Sequence, residues 1–302
     1  MSRFRVTAVI GAFVWLAVPV SSEAATVTAF ESSASEATYV AAGGETNDLH
    51  VFTEFPMALI FTDTNPLTTV GDFCSVQAPG RVACQNASSN VEAHLRDGND
   101  RARVSVSSVA KVWGGAGDDF LTGDSFGQWT ELYGESGDDD VWAGGEGGQI
   151  ADGGRGDDVV RAGGFAGQAS GFGGPGADTL FFASGRGGAA TLDAGTGDDT
   201  VAIQPGNPGT ATGGPGDDTL AITDQLPPQF PADGFELSGG AGRDTLTGGA
   251  FEQRVDGGSG DDTIDVRDGG DDTVTCGDGQ DVVQHDAGDT IAADCETTLL
   301  AP

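Results

Sequence analysis

From residue 114 onward, nine aspartates recur, each inside a short glycine-rich segment. They are Asp119, Asp139, Asp158, Asp178, Asp199, Asp218, Asp244, Asp262 and Asp281. The clearest segment, residues 213–221, is Gly-Gly-Pro-Gly-Asp-Asp-Thr-Leu-Ala. Glycines let the backbone take positive φ and turn sharply, which exposes carbonyl oxygens on one side. Because carbonyl and carboxylate oxygens are the ligands that Ca²⁺ prefers, these residue types predict calcium sites at the turns.

The spacing of these aspartates predicts the elements that position them. Successive separations are 20, 19, 20, 21, 19, 26, 18 and 19 residues, so each coil has room for two short strands and two turns. Two residues after each aspartate stands an aliphatic residue, which would point inward from a strand. We therefore expect the acidic turns to stack along one edge of a roll, with degraded turns along the other. The aliphatic residues are Leu121, Val141, Val160, Leu180, Val201, Leu220, Leu246, Ile264 and Val283.

The pattern G-G-x-G-x-D-x-U-x, in which U is a large apolar residue, resembles the calcium-binding repeat of the RTX, or hemolysin-type, family. The resemblance covers roughly residues 113–296. It implies an all-β protein with a parallel β-roll of about nine coils, holding several Ca²⁺ ions between successive turns. The implied ligands are the nine aspartates and carbonyl groups of the glycine turns. Those turns begin at Gly114, Gly153, Gly173, Gly213, Gly239 and Gly257.

The register of the pattern changes after Asp262. Asp272 follows ten residues later and Asp281 nine after that, with a rougher match at Asp289. We therefore include Asp272 among the predicted ligands and expect both edges of the roll to bind metal near the C-terminus. The last residues, 276–302, resemble the disulfide-capped terminal coil of secreted RTX-type proteins of actinobacteria.

Some repeats depart from the pattern. Glu135 replaces a second glycine, Ala194 replaces a first glycine, and the last repeat begins with Cys276. We expect the sites at Glu135 and Cys276 to be the weakest. Acidic residues at the fifth position, such as Asp118 and Asp157, are interpreted as solvated surface charge.

The separation of 26 residues between Asp218 and Asp244 marks an insertion. Three prolines lie within residues 225–233, and proline lacks the backbone donor that a ladder strand needs. We expect a protruding loop, either a tolerated surface insertion or a recognition loop. We also expect the row of calcium sites along the acidic edge, which we call the calcium ladder, to break immediately after the Asp218 turn.

The composition excludes several classes of partner. Of 302 residues, 51 are glycine, 47 are Asp or Glu and 13 are Lys or Arg, for a net charge of −34. Such acidity argues against nucleic acid and against anionic membrane surfaces as partners. It also favours a cation-dependent protein, because a chain this negative repels itself when compact.

The N-terminus has the features of a secretory signal. Arg3 and Arg5 precede an apolar run over residues 6–20, and small residues lead up to Ala24. We predict cleavage after Ala24 and a secreted, extracellular protein. The alternative is an uncleaved anchor, but the run is shorter than the ~20 residues that a spanning helix needs.

The four cysteines fit an exported protein. They allow three connectivities, and proximity along the chain favours Cys74 with Cys84 and Cys276 with Cys295. Residues 25–110 contain short strand-like runs and are interpreted as a β region that covers the first coil, or alternatively as a separate binding domain. The predicted organisation is thus a signal peptide (1–24), an N-terminal β cap (25–110), the roll (111–275) and its disulfide-capped end (276–302).

No convincing catalytic motif is present. Residues 123–127 fit G-x-S-x-G, but a nucleophile elbow needs a strand–turn–helix context that is not predicted there. His50, His94 and His285 are isolated in the sequence. We therefore predict a non-enzymatic, secreted Ca²⁺-binding protein with a structural, cell-surface or matrix role. The alternatives are an adhesin or the calcium-binding module of a secreted hydrolase.

Overall fold

The computed structural model of the chain describes residues 24–29, 36–54, 58–70, 73–85, 90–125, 129–163, 167–183, 189–204, 208–223 and 234–301. Residues 1–23 of the predicted signal peptide and the proline-rich insertion at 225–233 lie outside these ranges. So does part of the G-x-S-x-G segment, at residues 126–127. All other predictions about named residues concern described positions.

Every regular element in the described ranges is a β-strand. In chain order the strands are β1 (Ala25–Ala29), β2 (Glu36–Val40), β3 (Asp48–Glu54), β4 (Ala58–Thr62), β5 (Leu67–Val70), β6 (Cys74–Ala78), β7 (Arg81–Gln85), β8 (Asn90–Asp97), β9 (Arg101–Ser105), β10 (Ala110–Ala116), β11 (Phe120–Ser125), β12 (Trp129–Ser136), β13 (Asp140–Gly145), β14 (Gly148–Arg155), β15 (Val159–Ala162), β16 (Ala169–Pro175), β17 (Thr179–Ala183), β18 (Ala190–Thr196), β19 (Thr200–Gln204), β20 (Gly209–Pro215), β21 (Thr219–Ile222), β22 (Phe235–Ala241), β23 (Thr245–Thr247), β24 (Gln253–Ser259), β25 (Thr263–Val266), β26 (Thr273–Asp278), β27 (Val282–His285), β28 (Thr290–Ile291) and β29 (Thr297–Leu300).

From β8 onward, successive strands alternate between two parallel sheets. Even-numbered strands from β8 to β28 lie in one sheet, which has 14 described strands, and odd-numbered strands from β9 to β29 lie in the other, which has 15. Each strand pairs in parallel with the strand two places along the chain. The protein is therefore all-β, and the predicted parallel β-roll is confirmed. It has more coils than the nine repeats, because β8 and β9 precede the first repeat, and β28 and β29 follow the last.

Buried apolar side chains from both sheets, most of them aliphatic, fill the middle of the roll. All nine residues predicted to point inward are at most 1 % exposed. A turn follows each short strand, and alternate side chains of each strand face the interior. The repeat pattern thus builds a narrow core with two turn-lined edges.

The first part of the chain forms a small β region that is continuous with the roll. β1 with β2, β3 with β4, and β4 with β7 form antiparallel pairs, whereas β2 and β3 pair in parallel with β8 and β9. β2 and β3 thus cover the lateral edges of β8 and β9 that face away from β10 and β11. Unpaired strand edges would otherwise invite association with other chains.

Both predicted disulfides are confirmed. Cys74 is bonded to Cys84 between β6 and β7, and Cys276 is bonded to Cys295 at the end of the roll. One bridge therefore stabilises the N-terminal β region and the other the terminal coil. The described part of the chain contains no helix long and apolar enough to span a membrane.

Candidate metal centre

The turn at residues 213–221 shows how each repeat positions its aspartate. β20 ends in a turn in which Gly214 and Gly216 have φ of +115° and +149°, values that favour glycine because a side chain would strain the backbone. β21 then begins at Thr219. Asp218 consequently lies at the junction of turn and strand, the same place that its counterparts occupy in the other coils.

The nine aspartates form one continuous hydrogen-bonded ladder along one edge of the roll. The backbone N–H of each of the first eight donates to Oδ1 of the aspartate in the next coil, as Asp199 does to Asp218 at 2.8 Å. All nine are at most 3 % exposed. The acidic turns therefore stack along one edge, as the spacing predicts.

The expected break after Asp218 is wrong. The N–H of Asp218 donates to Oδ1 of Asp244 at 2.8 Å, so the ladder continues across the insertion. The insertion lies between β21 and β22, which places it at the opposite edge from the acidic turns. The extra residues therefore belong to the edge of degraded turns, and the register of the acidic turns is unchanged.

The second carboxylate oxygen of every ladder aspartate is buried without a hydrogen-bond partner among the described residues. Burying a charged oxygen without a partner is costly, and the cost appears as a raised pKa. Burial, with smaller contributions from the charges of Asp139 and Asp100, raises the pKa of Asp119 to about 7. Burial likewise raises the pKa of Asp158 to about 7. Each of these oxygens would therefore be stabilised by a bound cation or by a proton.

In seven of the nine acidic turns the first residue is glycine, and the position that its missing Cβ would take lies within 2.6 Å of the unpartnered aspartate oxygen. At Gly257, an added Cβ would stand 2.6 Å from Oδ2 of Asp262 and 2.6 Å from the carbonyl oxygen of Cys276 in the next coil. We call this space, bounded by the first glycine, the aspartate Oδ2 and the next coil's carbonyl, the turn pocket. The same two kinds of oxygen bound it at Gly114, Gly134, Gly173, Gly213 and Gly239.

The first residue of the turn is glycine in seven repeats, and in one of these the second residue is glutamate. At Gly153, Oδ2 of Asp158 borders the same space, so all six first-position glycines predicted from the sequence lie beside a ladder carboxylate. Gly134 is a seventh, which was not named among the predicted ligands because Glu135 replaces the second glycine of its turn. Glu135 itself takes a φ of 78°, the conformation that glycine supplies in the other turns.

Two ladder aspartates lack a turn pocket. Ala194 stands at the first position of the Asp199 turn, and Cys276 stands at the first position of the Asp281 turn. Both side chains are fully buried, and that of Cys276 is committed to a disulfide. Their β-carbons occupy the volume that glycine leaves open elsewhere.

Asp272 repeats the ladder arrangement on the opposite edge. Its Oδ1 accepts the N–H of Gln253 at 2.7 Å, and its own N–H donates to Oδ1 of Asp289 at 3.0 Å. It is 1 % exposed, and its Oδ2 has no hydrogen-bond partner among the described residues. Burial raises the pKa of Asp272 to about 7, with the charges of Asp268 and Asp289 adding to the effect.

The fifth-position aspartates form a second, exposed row. Asp138 donates its N–H to Asp118 at 3.1 Å, and Asp157 donates its own to Asp138 at 3.0 Å. The side chains are therefore surface charges, and they also cap the backbone of the following turn. Neither role requires a metal ion.

The ladder begins before the first recognised repeat, at Asp100. The N–H of Asp100 donates to Oδ1 of Asp119 at 2.7 Å, and its own Oδ2 is buried without a hydrogen-bond partner among the described residues. Sequence reasoning missed it because Leu95 and Arg96 replace the two leading glycines. The signal was present in Gly98, Asp100 and the aliphatic Ala102, with Asp100 standing 19 residues before Asp119.

The donor set of these sites suits calcium. No three Asp, Glu, His or Cys side chains in the described ranges gather around a common metal position. Each turn pocket instead offers a carboxylate oxygen and a backbone carbonyl oxygen. Ca²⁺ accepts such mixed oxygen ligands in flexible geometry, whereas Zn²⁺ sites in proteins are built from Cys, His and carboxylate side chains.

Comparison with known proteins agrees with this geometry. A family model of the RTX calcium-binding nonapeptide repeat matches in four copies, at residues 111–126 and 238–271. The segments include Asp119, Asp244 and Asp262 but not residues 213–221, whose turn has the same geometry. A search of curated proteins yields no match. The matched copies, the parallel roll and the aspartate ladder together fit an RTX-type repeat protein.

Proposed function

We propose that this is a secreted structural protein whose roll folds as it binds Ca²⁺. The observation that carries the proposal is the row of buried Oδ2 atoms along the ladder, each without a hydrogen-bond partner among the described residues. None of the nine ladder aspartates forms a salt bridge with a described Lys, Arg or His. The charge of the ladder therefore needs a partner from outside the described residues.

Bound Ca²⁺ would supply two positive charges and further ligand positions at each turn. Adjacent coils of a parallel sheet lie ~4.8 Å apart, so unneutralised carboxylates on successive coils repel one another strongly. The residues that would hold the ion are the ladder aspartate, through Oδ2, and the carbonyl group of the next coil's turn. In the folded roll both oxygens lie beside one turn pocket.

The strongest sites should be those with an open turn pocket. These are the turns of Asp119, Asp139, Asp158, Asp178, Asp218, Asp244 and Asp262. The Asp139 turn, which Glu135 led us to expect among the weakest, is included because Gly134 leaves its first position open. We expect weaker binding at Asp199 and Asp281, whose pockets contain side-chain atoms, and an additional site at Asp272 on the opposite edge. At a free Ca²⁺ concentration ten times Kd, each site contributes ~1.4 kcal/mol, so seven contribute about 10 kcal/mol. That total is comparable with the whole stability of a typical domain.

The setting supports an extracellular role. Residues 1–24 have the features of an export signal, and both disulfides suit an oxidising compartment. Extracellular calcium modules bind with Kd of ~10⁻⁴ to 10⁻³ M, which lets millimolar calcium outside the cell trigger folding. We infer a non-enzymatic structural role at the cell surface or in the matrix.

The test uses the mature chain stripped of metal. We expect little β signal by far-UV circular dichroism without metal and cooperative recovery on titration with CaCl₂. Asp218→Asn should raise the calcium midpoint and remove one bound ion, since the amide still accepts the ladder N–H but carries no charge. The matched control is Asp217→Asn, at an exposed carboxylate next to it, which should leave the ion count unchanged. A β signal that does not respond to calcium would refute the proposal.

A further inference from the structure

One outer face of the roll brings arginine and aromatic side chains together. The strands β9, β11, β13, β15 and β17 are consecutive in one sheet, and alternate side chains of each strand point away from the core. The arginine and aromatic residues at these outward positions are all exposed or half-buried, and we call them the arginine–aromatic face. They are Arg101, Arg103, Phe120, Trp142, Arg161 and Phe181.

Strand pairing aligns part of this face in a row along the roll. Arg103 lies opposite Thr122, and Thr122 lies opposite Trp142. Trp142 in turn lies opposite Arg161, and Arg161 lies opposite Phe181. Because neighbouring strands are ~4.8 Å apart, the row extends over roughly 19 Å, with the two rings roughly 10 Å apart. Guanidinium groups and rings therefore occur in turn along the roll axis.

The two rings of the row are open to solvent. Trp142 is 55 % exposed and Phe181 is 42 % exposed. The Arg161 guanidinium lies 5.6 Å from the centroid of the Phe181 ring and supports it from one side. Large apolar side chains grouped on the surface of a folded protein mark interaction sites, since covering them removes apolar area from water.

The face is locally positive in a strongly acidic chain. The outward positions of its five strands carry three arginines and two aspartates, Asp124 and Asp140, whereas the net charge of the whole chain is −34. The carboxylate of Asp140 forms a salt bridge with Arg161. Neither Arg101 nor Arg103 forms a salt bridge with a described acidic residue. Two exposed guanidinium groups can therefore bind anionic groups of a ligand.

The geometry favours a ligand that side chains alone recognise. Each of the five strands is paired on both sides, so the face offers no backbone groups to an added peptide strand. The face of a sheet also lacks the concave shape that encloses a small molecule. A linear polymer with apolar ring surfaces and anionic groups fits this surface.

The charge balance limits the density of anionic groups on that polymer. Nucleic acid carries a phosphate at every nucleotide, and its affinity depends on several Lys or Arg contacts. Here only Arg101 and Arg103 lack a described acidic partner, and Asp48 lies opposite Arg101 on the neighbouring strand. A polymer whose carboxylates are separated by neutral units meets less repulsion on such a face.

We propose that the arginine–aromatic face binds a linear polysaccharide in which uronic acid units alternate with neutral sugars. The apolar faces of sugar rings pack on Trp142 and Phe181, and the carboxylates accept hydrogen bonds from the guanidinium groups of Arg101 and Arg103. The inference rests on the proposed cell-surface or matrix role and assigns that role a ligand class. Calcium acts only by folding the roll that presents the face.

The test measures binding of a fluorescein-labelled hyaluronate oligosaccharide, an alternating uronate polymer, to the mature chain in CaCl₂ by fluorescence polarisation. We expect saturable binding that weakens as NaCl is added, because the arginines are exposed. Trp142→Thr should weaken binding about tenfold and Arg103→Gln about fivefold, as expected for an aromatic anchor and a charged contact. Threonine already stands in this row at Thr122, so the strand tolerates it.

Leu299→Thr and Arg254→Gln are the matched controls. Leu299 is 52 % exposed at the C-terminal end of the same sheet, and Arg254 lies in the other sheet. Both variants should bind hyaluronate as the parent chain does. If Trp142→Thr and Arg103→Gln also bind like the parent, calcium at the acidic edge holds the carboxylates and the inference is wrong. Tighter binding of polyglutamate or oligothymidylate than of hyaluronate would also overturn it.

Circular dichroism of the same samples separates this inference from the proposed function. A chain that folds on adding calcium but does not bind hyaluronate refutes the polysaccharide site and leaves calcium-driven folding intact. A β signal that does not respond to calcium refutes calcium-driven folding, and hyaluronate binding to that folded chain still decides the polysaccharide site.

Discussion

Placing a methyl group in a turn pocket should remove one calcium ion, and it can be done at a turn residue whose φ alanine can adopt. Gly257 is suited to this test, because its φ lies outside the left-handed region and alanine can adopt it. In Gly257→Ala, the new Cβ would stand 2.6 Å from both Oδ2 of Asp262 and the carbonyl oxygen of Cys276. Those are the two oxygens that we assign to the ion.

The magnitude follows from mass action. At a free Ca²⁺ concentration one hundred times Kd, a lost site costs about 2.7 kcal/mol of calcium-dependent stability. Overpacking adds a metal-independent cost of about 1–3 kcal/mol. The control is Gly171→Ala, whose Cβ would meet the Leu192 side chain at 3.0 Å and no carboxylate. This variant should show only the metal-independent cost of overpacking.

The reciprocal change is Ala194→Gly, which opens the pocket at Asp199. Without metal, the variant should lose about 0.5–1 kcal/mol of stability, because glycine has more freedom in the unfolded chain. At a hundredfold excess of calcium over Kd, the gained site adds about 2.7 kcal/mol, so the order of stability reverses. Urea unfolding at the lowest free calcium that folds the roll and at saturating calcium, together with calorimetric ion counts, measures both terms. Equal ion counts in Gly257→Ala, Ala194→Gly and the parent chain would refute the turn-pocket reasoning.

Three further predictions concern pH, a disulfide and the opposite edge. The raised pKa of buried ladder carboxylates, about 7 at Asp119, means that the folded state holds protons that the unfolded state releases. The metal-free roll should therefore be most stable below pH ~4 and lose stability as pH rises through 6–7, whereas calcium affinity should rise over the same window; urea unfolding and calorimetry across pH measure both. Replacing Cys276 and Cys295 by serine should cost about 3 kcal/mol, seen as a lower Tm in calcium, and an unchanged Tm would contradict the stabilising role of that bridge. Asp272→Asn should remove one ion by native mass spectrometry, whereas the neighbouring Asp271→Asn should not, and equal loss in both would argue against a specific opposite-edge site.

Much of the fold could be predicted because its determinants are local. A glycine turn followed by an aspartate and an aliphatic residue specifies one turn and one strand within nine residues of the clearest repeat. Repetition then requires a parallel stack, since each unit can bury its aliphatic residue only against its neighbours. The cysteine pairs were equally local, at separations of 10 and 19 residues.

The errors came from features that the pattern does not encode. The insertion after Asp218 appeared to interrupt the ladder because sequence separation does not say at which edge extra residues leave the roll. Asp100 was missed because its turn lacks the leading glycines, although its N–H bonds to Asp119 like every other rung.

The sequence by itself determined the roll, its aliphatic interior and the edge on which the acidic turns stack. These follow from residue types at fixed short spacing, where backbone conformation and side-chain direction are set within a single turn. Only the tertiary structure decided which oxygens lack partners, which turns keep an open pocket, and that Asn47 lies against Asp100. Those properties depend on contacts between neighbouring coils, one of them across 53 residues, and no local pattern of side chains specifies them.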